Sequence, residues 1–224
     1  MNGYGYPISK RLNSFGVKHE IIPIAENTSI LPELPKKPLI LSGGMTEVTA
    51  NVDWINDLKA YISQIIKQNQ ENPRNMQPIL GICFGAQIIA ESYRKGSVRF
   101  LEDPEFGLSR IVLEDNDLPI FKGFENEFDA YSFHYNQIWS TDFQILSKHK
   151  HMGHEFLQAF EVPDSTVFGV QFHPEFTREQ MIRLFNTYQN LILEFGFDLQ
   201  PIIDDLENIK GNEKILRNFI DEFC

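Results

Sequence analysis

The sequence predicts an α/β fold of three layers, αβα, with a mostly parallel central sheet, flanking helices and an additional antiparallel strand region. Three observations carry that expectation. In the first half, short apolar runs alternate with amphipathic stretches, the pattern of a parallel sheet covered by helices. From Gly96 to Val170 the chain changes to short strands separated by Gly, Pro, Asp and Asn, which reads as antiparallel or mixed pairing. After His173 amphipathic helical segments return and close the chain. With 224 residues and neither a repeat nor a linker, one domain over 1–224 is expected, with a helical tail from about 198 to 224.

The elements follow in order. Ile8, Leu12 and Phe15 fall at helical spacing, and Gly16 offers a stop before a strand candidate, His19 to Ile24. A connection carrying Pro32, Pro35 and Pro38 leads to a short apolar strand, Leu39 to Leu41, which ends in the turn Ser42-Gly43-Gly44. Ile55, Leu58, Ile62 and Ile65 form the buried stripe of a helix from about Asp53 to Gln68. Pro78 to Cys83 reads as a buried strand, and Ala86 to Tyr93 as a helix that starts almost at once after it. Short strands are expected at Arg110 to Leu113, Ala130 to Tyr135, Phe143 to Ser147, Phe156 to Val162 and Val167 to Phe172. A long helix from about Arg178 to Phe195 and two shorter ones, Pro201 to Ile209 and Glu213 to Phe223, complete the reading.

Composition narrows the function. A net charge of -11, from 20 basic and 31 acidic residues, repels phosphate backbones and anionic lipid, so nucleic acid and membrane are not expected partners. Residues 1 to 10 carry no signal or transit pattern, which gives a cytoplasmic expectation. Only two cysteines occur, Cys83 in an apolar segment and Cys224 at the end, so a disulfide framework is not expected.

The chemistry concentrates at Gly81-Ile82-Cys83-Phe84-Gly85. Glycines two residues to either side of a central nucleophile remove the side chains that would collide in a sharp strand-to-helix turn. The helix that follows aims free N–H groups and its positive dipole end at the sulfur, which favours thiolate. A lone cysteine in an apolar run is more often a small core residue, and the paired glycines turn the balance toward a nucleophile. Such a nucleophile needs a base. His173 follows a strand and precedes Pro174, which keeps it extended, and Glu175 is placed to accept the other imidazole N–H. The expected catalytic set is Cys83, His173 and Glu175.

Together these motifs resemble the triad-type, class I glutamine amidotransferase domain, with its G-x-C-x-G-x-Q elbow, here Gly81 to Gln87, and its H-P-E triplet, here His173 to Glu175. Leu41-Ser-Gly-Gly44 is similar to that family's oxyanion loop and Glu105-Phe-Gly107 to its E-x-G segment. The tail, with Leu216-Arg-Asn-Phe, looks like that of stand-alone GMP-synthetase-like members. The resemblance implies an oxyanion hole from the N–H groups of Gly44 and Phe84, and a substrate pocket lined by Gln87, Ser132, Phe133 and His134. It implies hydrolysis of the glutamine side-chain amide through a γ-glutamyl thioester, without cofactor or metal, and ammonia delivery to a separate synthetase chain.

Two departures stand beside it. The family begins with a hydrophobic strand, whereas Met1 to Tyr6 make a poor core strand. Asn136 stands where many relatives carry Asp in S-x-H-x-D, which leaves room for a γ-glutamyl compound other than glutamine. A stand-alone γ-glutamyl peptidase with the same triad is therefore the rival enzyme, and a non-catalytic regulatory or binding module the rival of another class. His149, His151 and His154 invite a metal reading, but the lysines and glycine among them fit a polar hairpin tip better.

Overall fold

The structure, a computed structural model, describes the chain except for residues 1–4, 27–30, 32–36, 115–117, 140, 152–153 and 224, and the side chains of 102, 103, 150, 151 and 154. Helix α1 (Gly5–Ser14) buries Pro7, Ile8 and Leu12. It stops where Gly16 takes φ +74°, a left-handed turn that costs glycine nothing. Tyr6 is already helical, so the described part of the first segment forms no strand.

The expected strand at His19 to Ile24 does not form. Residues 17–23 have no regular structure, and Ile21 is exposed. A strand needs a neighbour to take its backbone N–H and C=O groups. The sheet ends on β1 (Leu39–Leu41), and among the described residues nothing pairs with that outer edge.

Helix α2 (Asp53–Glu71) crosses from β1 to β2 (Ile79–Ile82), and the two strands pair in parallel. Helix α3 (Phe84–Tyr93) follows β2 after a single residue. Then come β3 (Val98–Leu113), a 3-10 turn at Pro119–Phe121, β4 (Glu127–Ile138), β5 (Gln144–His151), β6 (His154–Glu161) and β7 (Val167–Val170). Helices α4 (Arg178–Thr187), α5 (Gln189–Glu194), α6 (Leu199–Asp204) and α7 (Lys214–Phe223) complete the chain.

The strands form one sheet in the order β1-β2-β7-β6-β4-β3-β5, and β5 also pairs with β6. Parallel pairing is confined to β1, β2 and β7, which corrects the expectation of a mostly parallel sheet. The cause lies in the connections. Parallel neighbours need a long crossover, whereas β5 turns straight into β6, and β6 reaches β7 across residues 162–166. Strands β3, β4, β6 and β5 pair in a closed circuit, β3 with β4, β4 with β6, β6 with β5 and β5 with β3.

Side-chain alternation splits the core around the parallel strands. Leu80 and Ile82 of β2, with Phe168 and Val170 of β7, pack against Ile8 and Leu12 of α1 and Ile215, Leu216 and Phe219 of α7. Ile79 and Val167 point the other way, into Ile55, Ile62 and Ile65 of α2 and Ile88 and Ile89 of α3. A third cluster joins Tyr131 and Phe133 of β4 to Met181, Phe185 and Ile192. The long helix expected from Arg178 to Phe195 is interrupted at Tyr188, with φ -109° and ψ 26°. Backbone bonds from Tyr188 to Leu184 and from Ile192 to Tyr188 run through the break, which makes it a kink.

Glycine is obligatory where α3 meets the sheet. A methyl group at Gly85 would stand 2.3 Å from the carbonyl oxygen of Leu41, a backbone atom that cannot turn aside. Gly85→Ala is therefore expected to lower the urea midpoint by the equivalent of about 1–3 kcal/mol or more. Gly5→Ala, which meets nothing within 4 Å, should leave it unchanged.

Candidate active site

Cys83 fills the single position between β2 and α3, with φ 53° and ψ -108°. A positive φ is strained for a residue with a Cβ, and here both peptide groups hold it in place. The Cys83 N–H donates to the carbonyl of Val170 at 2.8 Å, and the Cys83 carbonyl accepts from the N–H of Gln87 at 3.0 Å. The thiol is buried, and its sulfur lies 3.9 Å from the carbonyl oxygen of Phe133 on β4. Phe84 is the first residue of α3, so its N–H has no partner within the helix. Gly44 lies against it, since a Cβ built there would be 3.4 Å from the Phe84 ring.

His173 stands three residues beyond the end of β7, and its N–H donates to the carbonyl of Tyr131 on β4 at 2.8 Å. Its Nδ1 is 2.8 Å from Oε1 of Glu175, and both side chains are fully buried. Burial alone would strip the imidazole of its proton. The charges of Glu175 and Cys83, with hydrogen bonds from both, outweigh it and push the His173 pKa up to about 10. Among the described residues Nε2 has no other partner, and with Nδ1 taken it is the nitrogen that faces Cys83. Phe176 packs on the imidazole at 4.8 Å between ring centres, keeping water from that side. The structure thus brings Cys83, His173 and Glu175 into one buried group.

The family model for class-I glutamine amidotransferases matches residues 1–189. The chain belongs to this family. It is similar to a glutamine-hydrolyzing GMP synthase subunit from Methanococcus maripaludis, with 31% identity over 209 residues, 87% of this chain and 94% of that one. The corresponding subunit from Saccharolobus solfataricus is 29% identical over 83% of this chain and 91% of its own length. The GMP synthase of Fusobacterium nucleatum is 28% identical, but the matched region spans only 32% of its length. Among solved structures, a glutamine amidotransferase from Thermotoga maritima shares the fold with a TM-score of 0.72 and 18% identity, covering 96% of this chain and 90% of that chain. One from Methylobacillus flagellatus does so with 0.70 and 18%, covering 97% and 89%.

In this amidotransferase the remaining sequence-predicted residues all lie on or against β4. Gln87 is buried and donates to the carbonyl of Asn136 at 2.9 Å and to Oε1 of Gln171 at 3.3 Å, tying α3 to β4. Ser132 is fully buried, and among the described residues its hydroxyl has no partner. The Phe133 ring packs on Phe106, Phe185 and Tyr188, while its carbonyl faces Cys83. His134 turns to Glu105, its Nε2 3.0 Å from Oε2. A surface cavity of about 630 Å³, lined by Arg94, Lys95, Arg99, Trp139 and Lys148 among others, contains none of these residues.

Sequence reasoning missed the partners of Glu105. The hairpin of β5 and β6 forms with His151 paired to His154, but His149 is no solvated tip residue, for its Nε2 lies 3.2 Å from Oε1 of Glu105. Gln158 of β6 donates to Oε2 at 2.8 Å. One carboxylate from β3 thus meets a side chain from each of β4, β5 and β6, the strands of the closed circuit. The Glu105-x-Gly107 segment was a signal for Glu105, whereas nothing local marks Gln158.

Burial would raise the Glu105 pKa, but the hydrogen bond and charge of His134, the charge of His149 and the bond from Gln158 bring it from 4.5 down to about 2. A depressed carboxylate stabilises the fold above its unfolded pKa, and that contribution disappears as pH falls from 4.5 to about 2. Urea midpoints measured from pH 7 to pH 2 are expected to drop steeply in that window for the parent. For Glu105→Gln the curve should start lower and run flatter.

Proposed function

We propose that this amidotransferase chain hydrolyses the side-chain amide of glutamine through a γ-glutamyl thioester on Cys83 and passes the ammonia to a separate synthetase chain. The observation that carries this reading is the alignment of a strained Cys83 with a His173 held at 2.8 Å by a buried Glu175. With its pKa raised to about 10, His173 carries a proton at neutral pH. It is therefore loaded as an acid, and in this mechanism the proton that the attacking Cys83 sulfur must lose is the one His173 holds. The sulfur attacks the amide carbon, and the N–H groups of Gly44 and Phe84 receive the oxyanion. His173 protonates the nitrogen as the C–N bond breaks, which releases ammonia and leaves the thioester. Neutral His173 then takes a proton from water, the resulting hydroxide attacks the thioester, and glutamate departs as sulfur and imidazolium are restored.

In this reading Gln87, Ser132, Phe133 and His134 shape the substrate wall through β4. The carbonyl of Phe133 lies 3.9 Å from the Cys83 sulfur, and Gln87 and His134 hold the strand there through Asn136 and Glu105. The synthetase partner rests on the relatives. The GMP synthase subunits of Saccharolobus solfataricus and Methanococcus maripaludis match over 91% and 94% of their length, while in the Fusobacterium nucleatum GMP synthase the matched region is 32%. A partner chain of the GMP synthase type is therefore the one to test.

Ammonia and glutamate release from glutamine is expected from the purified chain, or from the chain mixed with such a synthetase. Cys83→Ala should abolish it, and Glu175→Gln should lower kcat by roughly 10²- to 10⁴-fold, as loss of the residue that sets the tautomer does in other triads. A γ-glutamyl peptide belongs in the same assay. Its cleavage with glutamine left intact would replace the glutaminase by the peptidase, and silence on both substrates, with partner present, would leave the non-catalytic module.

A further inference from the structure

Among the described residues the carboxylate of Glu175 makes a single hydrogen bond, to Nδ1 of His173 through Oε1, and its Oε2 is buried without a partner. Among the described residues no other side chain orients it, so the aim of the carboxylate is set by the main chain of residue 175. That main chain lies outside regular structure, between the bridge of His173 to Tyr131 and the start of α4. It is pinned at three places. The His173 N–H donates to Tyr131, and the Thr177 N–H donates to Oε1 of Gln180 in a capping box. Between them Arg11 of α1 donates from Nε to the carbonyl of Glu175 at 3.0 Å and from Nη2 to that of Phe176 at 3.5 Å.

Resting on the glutaminase reading, we propose that Arg11 is a positioning residue for the triad: by gripping the Glu175 and Phe176 carbonyls from α1, it fixes the carboxylate on His173. Its guanidinium suits the task, since a planar fork can hold two successive carbonyls while a single ammonium holds one well. Arg11 acts by position rather than by its field. The charges that move His173 are those of Glu175 and Cys83, and the side chain of Arg11 meets peptide oxygens instead of the carboxylate. A triad assembled from the turn after β2 and the segment after β7 is thereby braced by α1, whose Arg11 lies 164 residues before Glu175.

The test compares Arg11→Ala and Arg11→Lys with Ile8→Val, a core change on the same helix that leaves the loop untouched. For glutamine hydrolysis, kcat should fall roughly 10- to 100-fold in Arg11→Ala, the size of loss that a small misplacement of a catalytic group brings. KM should change little, and Arg11→Lys should recover part of the rate. The lysine variant also keeps the comparison readable if alanine does not fold. A purely structural role would not move a second readout, the pH dependence of Cys83 alkylation by iodoacetamide. In the parent the inflection set by His173 is expected near pH 10, and in Arg11→Ala it should move toward neutrality as the imidazolium loses Glu175.

An unmoved inflection, with a kcat no lower than that of Ile8→Val at equal thermal stability, overturns the proposal. Alkylation needs neither substrate nor turnover, so the two readings fail separately. No ammonia from the parent with a synthetase partner present, together with the shift in Arg11→Ala, keeps the positioning role and loses the glutaminase.

Discussion

Where helix α3 begins, it lies so close to the parallel strands that no side chain fits at Gly81, Gly85 or Gly169, and the site depends on that approach. A methyl group would come within 2.5 Å of the Gly85 backbone if placed on Gly81, and within 2.3 Å of Leu41 or of the Phe160 ring if placed on Gly85 or Gly169. With that space closed, the chain has one residue in which to leave β2 and enter α3. That residue must take a backbone conformation that only strong neighbouring bonds can hold. The same closeness brings the loop after β1 to the first turn of α3, which sets Gly44 against Phe84. In the proposed mechanism, nucleophile and oxyanion donors thus come from one packing contact.

The second half of the site depends on burying charge. His173 and Glu175 are removed from water, which is unfavourable for both unless they meet at short range in fixed geometry. The fixing comes from around them. Tyr131, Arg11 and the capping box of α4 hold the main chain on either side of Pro174, and Phe176 closes over the imidazole. Strand β4 serves both halves, because Tyr131 receives the N–H of His173 while Phe133 presents its carbonyl to Cys83. The polar knot of Glu105, His134, His149 and Gln158 anchors that strand from its other face.

What could be read from the sequence was what local chemistry dictates. The elbow glycines announced Cys83 because their cause is steric and lies within two residues, and Leu39 to Leu41 was bounded by a proline before and a Ser-Gly-Gly turn after. His173 was legible once a thiol needed a base. The errors arose where the outcome depends on distant partners. His19 to Ile24 has the composition of a strand but no neighbour to pair with, and the parallel share of the sheet was overestimated because strand direction follows connections rather than side chains. Arg11 lies 164 residues from Glu175, and Gln158 lies 53 from Glu105, so no window of sequence contains either pair. His149 was misread for the same reason, since its surroundings in the chain are lysines while its partner sits on another strand.

The family match stops at residue 189, yet the chain beyond it is woven into the site. The Tyr131 hydroxyl donates to the carbonyl of Glu207 and accepts from the N–H of Ile209, and Asn212 donates to the carbonyl of Asp129 on the same strand. Farther on, Asn218 donates to the carbonyls of Ile120 and Lys122, and Ile215, Leu216 and Phe219 cover Leu80 and Ile82 beside Cys83. A recombinant fragment trimmed at the family boundary would retain Cys83, His173 and Glu175 and still lose the apolar cover of β2 and the anchor of the residue that receives His173. In this chain, the smallest unit that keeps the packing of the site is set by the tail and not by the motifs.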